Sequence, residues 1–176
     1  MKPQQKQPQQ KIFITLLALF VCASFALPAA AQNSTAVLAG AELTRIVPTS
    51  FYFQGQSAPT QMRNSAAARF SKNHHVIAGM VDTSGYSAEI RARYQGFFIT
   101  DSSITIGGET LPTGAYGFGF TNDGKMNVLD LANNQVLSVS TTNDKALRRP
   151  RPLMMTMDGS NVRLYVGRDY VVIAAK

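Results

Sequence analysis

A chain of 176 residues with 13 glycines, 10 phenylalanines, no tryptophan and one cysteine fits one ordinary domain and needs no second. A single thiol excludes a disulfide framework and thiolate metal clusters. Three of the 17 lysines and arginines lie in the first eleven residues, so beyond that segment 14 cations face 10 acids, a net charge of +4 rather than +7. A nucleic-acid reading from overall basicity loses its ground, and no nucleic-acid partner is expected.

Lys2, Lys6 and Lys11 stand without an acid before an apolar run of about 16 residues, Ile12 to Leu27, and the small residues Ala29, Ala30 and Ala31 follow. That order predicts a signal peptide over residues 1–31, cut after Ala31. The run is short for a membrane span, so no transmembrane segment is expected after cleavage. Cys22 follows Val21, where lipidation requires a small residue. The mature chain is therefore expected to be cysteine-free and located in the periplasm or outside the cell.

Residues 32–50 are rich in small side chains without a period and read as a flexible leader ending in a short strand. The β domain is expected over 51–176. Phe51, Tyr52 and Phe53 form a strand-like burst. Pro59 to Phe70, with three consecutive alanines and Ser57 or Thr60 as a cap, is the strongest helix candidate. Beyond residue 74, β-rich runs cover 75–82, 89–100, 103–106, 115–121, 126–131, 135–141, 153–157, 162–166 and 169–174. Turn signals such as Gly107-Gly108, Asn122-Asp123-Gly124, Asn133-Asn134 and Asp158-Gly159 separate them. This rhythm predicts an all-β domain, an antiparallel β-sandwich or partly closed barrel with one short helix.

Within 115–121, period-two alternation puts Tyr116, Phe118 and Phe120 on one face and Gly117 and Gly119 on the other. One reading makes the rings a platform for a sugar, or makes the glycine face a place where a ligand or a second backbone approaches closely. The other makes them a core stripe opposite a close-packed face, and it is favoured because buried aromatics dominate small β cores. The phrase running from Gly107-Gly108 through Leu111-Pro112 and Gly114 to Tyr116 resembles a turn in certain exported bacterial β-sandwich proteins, including acidobacterial ones, over residues 75–140. The resemblance implies a sandwich fold and an envelope location; it carries over no activity and no catalytic residue.

His74 and His75 are the only histidines. Neighbours on a strand point to opposite faces, so one metal cannot readily take both rings, and Asp82 or Glu89 is the acid available to join one of them. No metal site and no cofactor are expected. Gly55-Gln56-Ser57 and Gly85-Tyr86-Ser87 open like a nucleophile elbow, but Pro59 and Glu89 stand where its last glycine belongs. No catalytic residue is assigned. Glu89, Arg91 and Arg93 alternate as an exposed strand face would.

Lys145, Arg148, Arg149 and Arg151 put four cations in seven residues, with Pro150 and Pro152 expected to hold the segment extended and out of a sheet ladder. This is the candidate anion- or partner-binding site; its alternative is a solvated connection whose charges discourage edge pairing. The expected function is a non-catalytic binding or structural module of the cell envelope, meeting anionic envelope components or another envelope protein. Two alternatives stay open. One is an Asp- or Glu-dependent envelope hydrolase assisted by His74 or His75. The other is an assembly subunit that adds a strand, from 34–47 or from Tyr170 to Ala175, to a partner's sheet.

Overall fold

The computed structural model describes residues 35–70 and 74–176; the predicted signal peptide, its cleavage point and Cys22 lie outside the described residues. After strand β1 (Ala36–Leu38) and helix α1 (Gly40–Ile46), β2 (Ser50–Phe53) turns into β3 (Gln56–Phe70) through Gln54 and Gly55. Both turn residues have positive φ, 47° and 82°, which gives a two-residue turn the twist a hairpin needs. Strand β4 (His74–Val81) returns along β3. Helix α2 (Ala88–Arg91), capped by the Ser87 side chain accepting from the Ile90 N–H, leads into β5 (Gly96–Thr100).

Strands β6 (Ile104–Ile106) and β7 (Glu109–Leu111) form a hairpin on Gly107-Gly108, followed by the meander β8 (Gly114–Thr121), β9 (Lys125–Leu129) and β10 (Gln135–Ser140). The two-residue β11 (Thr142–Asn143), then β12 (Arg151–Asp158), β13 (Asn161–Gly167) and β14 (Asp169–Ala175) complete the order. The pairings are antiparallel. One sheet runs β1-β3-β4-β5-β8-β9-β10 with β2 added to β3, and the other runs β12-β13-β14-β6-β7 with β11 added to β14.

The fold is the antiparallel β-sandwich class that the turn rhythm predicts. Phe70, Phe98 and Phe118 from the first sheet share one buried cluster with Ile106, Leu164 and Ile173 from the second. A second cluster, with Phe53, Tyr86, Tyr94 and Phe97, lies apart from the first. Both faces of the first sheet's middle are therefore buried, and its strands lose the clean apolar/polar alternation of a half-exposed sheet.

Gly117 and Gly119 show how close the outer layer comes. A Cβ on Gly117 would stand 2.5 Å from a ring carbon of Phe53, and one on Gly119 would strike the carbonyl oxygen of Arg93. The glycine face is thus a seam where a second backbone approaches. Gln95 stitches that seam: its backbone N–H donates to the Phe118 carbonyl at 2.8 Å. Its side chain donates to the Phe120 carbonyl at 3.1 Å and accepts from the Phe120 N–H at 3.0 Å.

Several expected elements are corrected. Pro59 to Phe70 is strand, not helix. Ala66, Ala67 and Ala68 are buried on both faces of β3, between β1 and β4. Small side chains fit that doubly covered site, so packing overrides the helical propensity of alanine. The two short helices fall elsewhere. The leader 32–50 carries β1 and α1, and the start of the run 89–100 is α2, so Glu89, Arg91 and Arg93 share no strand face. Residues Tyr170 to Ala175 lie in β14, paired with β13 on one side and β6 on the other. That strand has no open edge to offer a partner sheet. Among the described residues, no helix is long and apolar enough to cross a membrane.

Candidate functional site

The basic segment is a shaped loop between β11 and β12. Asp144 organises it from within, accepting from the N–H groups of Ala146 at 3.0 Å and Leu147 at 3.1 Å, while the Tyr165 hydroxyl donates to its other oxygen at 3.1 Å. The Arg168 guanidinium, just past β13, donates to the carbonyls of Asp144, Lys145 and Leu147. A carboxylate inside and a guanidinium behind thus fix the loop backbone. Lys145, Arg148, Arg149 and Arg151 project as exposed side chains. Among the described residues, none of the four takes part in an ion pair.

Two details differ from the sequence reading. Arg151 is the first residue of β12, opposite Gly167, and Pro152 lies inside that strand where its register shifts before Met154. Proline is tolerated there because β12 is an edge strand and its missing N–H breaks no ladder bond.

Beside Arg151 lies a half-open groove of about 390 Å³ between β1, α1, β3 and β12. It exists because β3 bulges: Thr60 pairs with Val81 but Ser65 pairs with Gly79, leaving residues 61–64 out of register. The Gln61 side chain, donating to the Val81 carbonyl at 3.1 Å and accepting from Asn64 at 2.8 Å, holds the bulge. Met62 and Arg63, at its crest, line the groove.

The aromatic strand divides by position. Phe118 is fully buried, Phe120 is buried, and the two rings meet edge-on at 6.2 Å. Tyr116 is half-buried, and its hydroxyl donates to the Pro112 carbonyl at 3.1 Å. All three belong to the sandwich core or pack against it.

His74 and His75 converge on one acid that the sequence reading did not pair with them, Asp101. Their Nδ1 atoms lie 3.4 Å and 3.3 Å from its two oxygens, and the His75 N–H donates to Oδ1 at 2.8 Å. The register of β4 against β5, Val76 opposite Thr100, sets this contact; neither Asp82 nor Glu89 provides it. Among the described residues, no three His, Cys, Asp or Glu side chains are grouped to hold a metal.

Other aspartates hold turns. Asp82 accepts from the Ser84 N–H, which holds its carboxyl below the ordinary value. Asp130 accepts from the Asn134 side chain and backbone and from the Ala132 N–H, with the same effect. Asp158 accepts from Arg163 at 2.9 Å.

Tyr94 was not singled out by sequence. It is fully buried, its ring is stacked on Phe53 at 3.9 Å, and its hydroxyl, beside that of Tyr86, has no hydrogen-bond partner of normal geometry among the described residues. Burial pushes that hydroxyl's pKa well above the ordinary tyrosine value. Comparison of the chain with protein-family models, curated proteins and solved structures finds no match.

Proposed function

We propose that this chain is an exported, non-catalytic binding module of the cell envelope that meets an anionic envelope component through Lys145, Arg148, Arg149 and Arg151. One observation carries the reading: four exposed cations that form no ion pair among the described residues stand on a loop already ordered by Asp144, Arg168 and Tyr165. A pre-ordered loop loses less conformational entropy on docking, so more of its interaction energy reaches affinity. Guanidinium groups suit phosphate and carboxylate because their N–H donors match two oxygens at once. The basic start, apolar run and three alanines of the N-terminal sequence support export.

The test compares the protein with a variant carrying Arg148→Ser, Arg149→Ser and Arg151→Ser on phosphatidylglycerol-containing vesicles and on neutral ones. Near an anionic surface each arginine contributes about 1 kcal/mol, so the variant should bind about a hundredfold more weakly at low salt. The wild-type advantage should shrink as salt screens the exposed charges. Equal binding of both proteins at every salt concentration would reduce the loop to a solvated connection.

A further inference from the structure

The groove beside Arg151 is built for more than surface charge. Its lining includes Ala66, Leu153 and Met155, buried residues of the sandwich core, so its inner wall is apolar. Met62 and Met154 line it as well, and Met62 remains 37% exposed on the crest of a bulge held by hydrogen bonds. Unbranched thioether chains adapt to irregular apolar occupants. Two cations, Arg63 and Arg151, belong to the lining, and among the described residues no acid does.

The neutral polar side chain there is Ser65, whose hydroxyl already donates to the Gln61 carbonyl at 3.3 Å. An occupant with many amide groups would find few side-chain partners. An occupant with a hydrocarbon body and one anionic end would match both the apolar wall and the cations. At about 390 Å³ the groove has the size of a small-molecule site.

We propose that this groove binds the hydrocarbon chain of a fatty acid, with its carboxylate held by Arg63 and Arg151. The inference rests on the reading of Arg151 as anion-facing and adds the chemical class of one ligand. Arg151 joins the two features: it is the last cation of the basic segment and also lines the groove. A single-chain amphiphile delivered from an anionic surface would therefore meet the loop first and the groove next.

The experiment is calorimetric titration of the protein with octanoate, decanoate, dodecanoate and tetradecanoate below their micellar concentrations, beside the matching alcohols. One site is expected, with affinity rising about fourfold for each methylene buried until the groove is full. Each acid should bind at least about tenfold more tightly than its alcohol, and the double variant Arg63→Gln with Arg151→Gln should erase that difference while keeping the chain-length slope. Met62→Glu places a like charge in the groove and should abolish dodecanoate binding, while its unfolding temperature stays as in the wild type.

The proposal is overturned if affinity is independent of chain length, if acid and alcohol bind alike, or if Met62→Glu binds dodecanoate normally. Vesicle binding without dodecanoate binding would defeat this inference alone. Loss of both in the wild-type protein would defeat the loop reading with it.

Discussion

Replacing Phe118 by alanine tests whether the aromatic strand is core or ligand platform. The ring is fully inaccessible and lies within the cluster shared by both sheets, so the whole transfer and cavity cost applies, about 3–5 kcal/mol. The neighbouring backbone argues for the upper part of that range. Gly117 and Gly119, on either side of Phe118, are already against the Phe53 ring and the Arg93 carbonyl. Strand β8 is thus clamped on its glycine face and has little freedom to collapse into the cavity. A loss of about 4–5 kcal/mol, at roughly 2–4 °C per kcal/mol for a domain near 150 residues, lowers the melting temperature by roughly 8–20 °C. Urea unfolding followed by far-ultraviolet circular dichroism should show a lower midpoint with an unchanged m value. A loss below about 1 kcal/mol would mean that the ring is not part of the core and would return it to the role of platform.

Two further substitutions probe polar groups. Tyr94→Phe removes a buried hydroxyl with no partner of normal geometry among the described residues, so stability should hold or rise by up to about 1 kcal/mol; a clear drop in melting temperature would mean that the hydroxyl is bonded to that of Tyr86. Asp130→Asn tests a carboxylate whose folded pKa is lowered by the Asn134 side chain, the Asn134 backbone and Ala132. Because the folded value lies below the unfolded one, near about 3.9, the stability it contributes is present above that pH and disappears as pH falls through the folded value. The gap in melting temperature between wild type and variant should close in acid, and a gap constant across pH would contradict the linkage.

What could be read from the sequence was local. Tyr116 to Phe120 alternate at period two, and Gly107-Gly108 and Asp158-Gly159 form the turns that their residues demand. The basic segment was visible as charge density. Features decided by pairing were not. Ala66 to Ala68 favour helix locally, and only coverage of β3 on both faces makes them strand. Asp101 meets His74 and His75 because the β4–β5 register puts it there, although they stand 26 or more residues apart. The groove needed β1 and β12 from opposite parts of the chain to come together, which no local pattern reports.

The place of β14 fixes an order of assembly. It pairs Ile173 with Val162 in the neighbouring hairpin and also with Ile106 far upstream. Until residues 169–175 have been made, β6 and β7 have no strand to join them to β12 and β13. The second sheet therefore forms as a late, non-local closure, slower than hairpin zipping and with hydrophobic edges bare in the interval. It also depends on β14 more than on any edge, since cutting before Asp169 would divide one sheet into two unpaired halves.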